Sequence, residues 1–159
     1  MGLMAGPVTA TVENVLAVGG RYHLEQAAFP DLPFGDGDIG YGLAYELHDG
    51  NALWQLGAEW APSLSGNVEA DYAITPQLNL LFKDRMLQGG VGILSTYTTG
   101  GPQDDWTDLY WQFLVGLSFP VSAKLKLDVM AYYPFDSWGN LDQFEFEDIE
   151  YGAWIGYQF

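Results

Sequence analysis

Cysteine is absent from the 159 residues, which excludes a disulfide framework and any thiolate metal site. Basic residues are nearly as scarce: 5 Lys and Arg stand against 21 Asp and Glu, a formal net charge of -16. Neutralising nucleic-acid phosphates takes clustered cations, so no nucleic-acid partner is expected. No run of about 18 apolar residues occurs; that excludes a transmembrane helix but leaves membrane-crossing strands open. The opening Met1-Gly2-Leu3-Met4-Ala5-Gly6-Pro7 has neither a basic n-region nor an apolar h-region, so no export signal is expected within this sequence. Aromatic residues, by contrast, are plentiful, with 6 Trp, 10 Tyr and 9 Phe, which is a poor fit to disorder. One domain is the default at this length.

Period 2 dominates the chain. Ile39, Tyr41, Leu43, Tyr45 and Leu47 alternate with Gly40, Gly42, Ala44, Glu46 and His48. After the hairpin signal Asp49-Gly50-Asn51, Trp54, Leu56, Ala58 and Trp60 alternate with Gln55, Gly57 and Glu59. Helical spacing fits these segments less well. Eight such segments are expected, spanning 11–25, 38–48, 52–61, 69–82, 86–97, 106–119, 123–135 and 147–159. Pro76 is the main blemish, because a paired strand uses every N–H. The first segment is the least regular, and residues 8–18 could begin as a helix.

The connections alternate too. Those after the second, fourth and sixth segments are tight: Asp49-Gly50-Asn51, Lys83-Asp84-Arg85 and Pro120-Val121-Ser122. Those over 26–37, 98–105 and 136–146 are longer and rich in Gly, Pro and Asp, and 62–68 is intermediate. Short turns on one rim and long loops on the other describe an all-β, eight-stranded antiparallel up-and-down barrel.

Which face points inward follows from volume. An eight-stranded barrel has an interior just wide enough for side chains to fill. The Trp-Phe-Tyr-Leu set is too bulky for it; the opposite set of Gly, Ala and scattered polar residues fits. The apolar set is therefore expected to turn outward, toward lipid, as a transmembrane β-barrel requires; the alternative is a soluble lipocalin-like barrel with that set inside. Aromatic girdles are expected at both rims. Tyr45, Trp54, Phe82, Phe119, Tyr157 and Phe159 belong to the short-turn rim, and Tyr22, Tyr41, Trp60, Tyr72, Tyr97 and Tyr133 to the long-loop rim.

The last strand, with Tyr151, Ile155, Tyr157 and a terminal Phe159, resembles the C-terminal signal of bacterial outer-membrane β-barrels. That pattern usually places a glycine where Trp154 stands. Strand count and loop asymmetry resemble the small OmpA/OmpX-type barrels over the whole chain. The resemblance implies a bacterial outer-membrane location and reading of the last strand by the outer-membrane assembly machinery. Lipid bilayer and lipopolysaccharide are the implied surroundings, and a monomer the implied state.

Topology assigns depth inside the barrel. With both termini at the short-turn rim, Arg21, His23, Glu59, Asp71, Asp108, Asp148 and Glu150 line the interior from its middle to its outer end. Glu13, Glu46, His48, Asn79, Lys124 and Lys126 line its inner end, and Gln112 and Asp128 also face inward. The expectation is a polar plug of paired Arg21, Glu46, Glu59, Lys126, Asp128 and Glu150, with a structural, adhesive or envelope-stabilising role. The alternatives are a narrow small-solute channel or a lipid-modifying enzyme. In the enzyme reading, of lipid A acyl hydrolase or acyltransferase type, His23 is the base, Asp71 its orienter, and Ser63 or Ser65 the nucleophile. Separation of His23 from His48 argues against a two-histidine metal site, and neither metal nor cofactor is expected. The long loops hold Asp31, Asp36, Asp104, Asp105, Asp136, Asp142 and Glu145 without any Lys or Arg. Such loops suit a cation-bridged contact with lipopolysaccharide, although their spacing matches no EF-hand loop.

Overall fold

Uninterrupted alternation becomes strand. The computed structural model describes residues 12–66 and 68–159. Among these, ten strands form: β1 (Glu13–Tyr22), β2 (Ile39–Asp49), β3 (Ala52–Ala61), β4 (Tyr72–Asp84), β5 (Leu87–Leu94), β6 (Tyr97–Thr99), β7 (Asp105–Trp106), β8 (Tyr110–Pro120), β9 (Leu125–Phe135) and β10 (Glu150–Gln158). Every pairing is antiparallel. β10 pairs with both β9 and β1, and β3 pairs with β4, so the sheet closes on itself. β5 and β6 keep one register against β4, and β7 leads into β8 along the same neighbour. Ten segments therefore make eight barrel strands. The helical alternative for residues 8–18 gives way to strand from Glu13 onward, while residues 8–11 lie outside the described residues.

The break between β5 and β6 has a definite cause. Pro76 stands opposite Ser95 and accepts that residue's N–H at 3.4 Å. An antiparallel pair of this kind exchanges two bonds, and proline has no N–H to return the second. The ladder lapses over Ser95 and Thr96, while β4 itself runs on unbroken.

Side chains divide as the pattern requires. On β3, Trp54, Leu56, Ala58 and Trp60 are exposed while Leu53, Gly57, Glu59 and Ala61 are buried. On β10, Tyr151, Ile155 and Tyr157 point out, and Glu150, Gly152, Trp154 and Gly156 point in. Leu56 is 62% exposed and Phe82 61%, whereas Arg21 and Glu46 are 2% and 1% exposed. The barrel has its greasy side outward.

Two features of the long-loop rim differ from expectation. Asp71 and Asp108 do not line the interior; both are exposed, because they lie in connections just beyond the strands. Tyr133 is covered rather than set in an open girdle. The 136–149 connection coils into two short 3-10 helices, Trp138–Gln143 and Phe146–Asp148, that fold back over the strands. Trp138 meets the rings of Trp111, Phe113 and Phe135 at 5.4, 5.6 and 5.1 Å, and Phe144 lies 4.6 Å from Tyr133.

Candidate functional site: the polar interior

Two ionic groups occupy the barrel, one toward each end. Toward the long loops, Arg21 from β1 donates through Nε to Glu150 Oε2 at 2.6 Å and lies 3.8 Å from Glu59. Its guanidinium sits 4.2 Å from the centre of the Tyr132 ring. The His23 ring bridges the same two acids, Nδ1 at 3.2 Å from Glu150 and Nε2 at 3.4 Å from Glu59. Toward the short turns, Lys126 donates to Glu46 at 2.6 Å and to Asp128 at 2.7 Å, and His48 lies 2.9 Å from Glu46. Each group thus combines one strong base, one histidine and two carboxylates. A buried carboxylate needs such company, because leaving one unpaired costs several kcal/mol.

Side-chain amides join the two groups. Arg21 Nη1 donates to Gln112 Oε1 at 3.0 Å, and Gln112 Nε2 donates to Gln77 and Asn79, each at 2.8 Å. Gln77 returns a bond to Glu59 at 2.8 Å. Asn79 donates to Gln55 at 2.8 Å, and Gln55 donates to Glu46 at 3.1 Å. One hydrogen-bonded network therefore runs from Glu150 to Asp128 across the lumen. Sequence reading placed Gln55, Asn79 and Gln112 on the inner face but missed their joining role. The signal was there: mid-strand amides on a face otherwise small.

Trp154 fills part of the remaining space. Its indole lies across Gly19 and Gly42; a Cβ would fall 2.6 Å from a Trp154 ring atom at the first and 2.2 Å at the second. Its Nε1 donates to Tyr132 Oη at 2.7 Å. Bulk at 154 is thus matched by glycines on two neighbouring strands.

The 23–38 connection folds into the outer mouth. Phe34 stacks on the His23 ring at 3.7 Å, and Leu32 packs with Leu94 and Tyr110. Asp38 fastens this connection to the next, accepting from Gly35 N, Ser65 N and Ser65 Oγ, each at 2.8 Å. The signal for this in the sequence is the apolar run Leu32-Pro33-Phe34 between Asp31 and Asp36. Gln26 reaches the Asp148 carbonyl at 3.0 Å. Partial burial and the neighbouring Glu145, Glu147 and Glu150 push the Asp148 carboxyl above its ordinary value of 3.8.

The residues of the enzyme reading do not come together. His23 is held by Glu59 and Glu150, Ser65 Oγ by Asp38, and Ser63 and Asp71 are exposed. Among the described residues, no group of three or more His, Asp or Glu is arranged to hold a metal ion. Three of the loop acids accept hydrogen bonds: Asp31 from the Tyr110 hydroxyl, Asp36 from Glu25 N, and Asp136 from the Asn140 amide.

These features define a small, closed, eight-stranded antiparallel up-and-down β-barrel with a polar interior. Solved structures of similar fold include neisserial surface protein A, with a TM-score of 0.45 and 12% identity, covering 93% of this chain and 96% of that one. Another is Ail, the attachment invasion locus protein of Yersinia pestis, with a TM-score of 0.44 and 13% identity, covering 93% of this chain and 97% of that one. No protein-family model and no curated protein sequence matches the chain.

Proposed function

We propose that this chain is an integral barrel of the bacterial outer membrane, with a plugged interior and a structural, adhesive or envelope-stabilising role. The carrying observation is the inverted surface: a continuous network of buried polar and charged groups inside, and large apolar side chains outside. In water that arrangement exposes more apolar area than a monomer tolerates. In lipid the same surface is solvated, and closure of the sheet satisfies the backbone. Exposed Trp54, Phe82 and Tyr157 near one rim and Tyr41, Trp60 and Tyr72 near the other suit two interfaces with headgroups. The outward row Tyr151, Ile155, Tyr157 and Phe159 supports recognition of the last strand by the assembly machinery.

The plug reading follows from Gln112, Asn79 and Gln55 bonding across the lumen between ion-paired ends. It makes the barrel a scaffold whose long-loop rim meets the outside, with lipopolysaccharide around it. Refolding in the presence and absence of detergent tests the membrane reading; a monodisperse folded protein without amphiphile defeats it. Planar-bilayer recording tests the plug. No steady unitary current is expected at neutral pH, and a reproducible current whose selectivity shifts with Glu59→Gln would mean a pathway instead.

A further inference from the structure

Positive charge in this acidic chain is concentrated at one place. The short-turn mouth opens on a cavity of about 370 Å3 whose lining includes Lys83, Arg85, Lys124 and Lys126, four of the 5 Lys and Arg in the sequence. Glu13 is the one carboxylate among its lining residues. Lys126 is committed to Glu46 and Asp128. Lys83 donates to the Ser118 hydroxyl at 3.1 Å, and Lys124 lies 5.7 Å from the centre of the Tyr157 ring. Among the described residues, neither these two nor Arg85 has a carboxylate within ion-pair distance. Residues 1–11 contain no acid that could supply one.

A groove of about 280 Å3 on the outer face is lined by Phe82, Leu87, Gly89 and Val115, with Asn51 and Asp84 also in its lining. Lys83 lines both cavities. The groove exists because Gly89 puts no side chain between Phe82 and Val115, its partners on the two neighbouring strands.

We propose that the two cavities form one binding site for an anionic phospholipid, its headgroup phosphate held by Lys83, Arg85 and Lys124 and an acyl chain laid over Gly89. Arginine's fork and lysine's compact charge both suit phosphate oxygens, and the apolar groove starting at the same lysine selects a lipid over a free anion. The rest of the chain is strongly acidic, the whole carrying a net charge of -16 even with these cations counted, and repels such a ligand. The site deepens the membrane reading and presupposes it.

Native mass spectrometry of the detergent-solubilised barrel, titrated with phosphatidylglycerol or phosphatidylcholine at equal concentration, is the test. Phosphatidylglycerol should be retained severalfold more. Lys83→Gln, Arg85→Asn and Lys124→Gln should each weaken its retention roughly fivefold. Asparagine is chosen at 85 because that residue has φ 57, which asparagine tolerates. Gly89→Leu should fill the groove and reduce retention of both lipids, with circular dichroism confirming that each variant folds. Equal retention of the two lipids, or unchanged retention in the charge variants, overturns the site. Displacement of the lipid by inorganic phosphate at matching concentration also overturns it, leaving a site for free anions. Failure of the membrane reading looks different: the barrel would then fold without micelles.

Discussion

Replacing Arg21 with methionine keeps much of the side-chain bulk but strips the outer ionic group of its permanent cation. Glu150 loses a 2.6 Å hydrogen bond, Gln112 a 3.0 Å one, and Glu59 an ion pair at 3.8 Å. Both carboxylates remain almost fully enclosed, with side-chain exposures of 2% and 3%, so water cannot replace what is lost. His23 then faces two acids alone. Removing one partner from a buried ion pair costs about 3–5 kcal/mol, most of it from the charge left behind. Unfolding by guanidinium in lipid vesicles, followed by tryptophan fluorescence, should show a loss of that size. Adding Glu150→Gln to the same chain should recover most of it, because the neutral amide needs no counter-charge. Lys126→Met should cost less. Glu46 and Asp128 are themselves enclosed, at 1% and 3%, but Lys126 is 12% exposed, so shortening it opens their side of the mouth to water, and His48 and Gln55 still hold Glu46. A cost for Arg21→Met below about 1 kcal/mol, or one smaller than that of Lys126→Met, would refute the picture of a dry, tightly paired interior.

Asp148 gives a pH signature. Its carboxyl is raised above 3.8 in the folded protein, so the folded state holds a proton that the unfolded state releases. Stability from this group is fully present below its unfolded value and lost as pH rises through the folded one. Asp148→Asn should therefore stabilise the barrel at neutral pH but not below about pH 3.8; equal midpoints at both pH values would contradict this. Gly42→Val should destabilise by about 1–3 kcal/mol by driving into Trp154, and the penalty should disappear in a Trp154→Gly background. A penalty that persists there would mean the collision is not its source. Pro76→Val should restore an N–H to the Ser95 carbonyl and stabilise by about 1 kcal/mol, with slow amide exchange at the new residue. Fast exchange at that amide would show that the missing bond does not explain the lapse between β5 and β6.

The sequence by itself determined the barrel. Period 2 separates the two faces of every strand, and eight such segments with alternating short and long connections leave few ways to close a sheet. Volume decided the inside: Gly19, Ala44 and Gly57 fit an eight-stranded lumen, whereas Trp54 and Phe82 do not. Those are local properties, readable residue by residue. What lies between strands was decided by tertiary structure alone. Which glutamate meets Arg21 depends on the stagger of β3 and β10 around the barrel, and alternation carries no information about stagger. The amides of Gln55, Asn79 and Gln112 look interchangeable along the chain, yet closure of the sheet makes them one connected network. Trp154 on β10 breaks the usual pattern of its strand until Gly19 and Gly42 are seen beneath its indole. The 23–38 and 136–149 connections were the least legible. Their residues have no period to reveal a face, and Leu32, Phe34, Trp138 and Phe144 found their places only against surfaces that strands distant in sequence had already built.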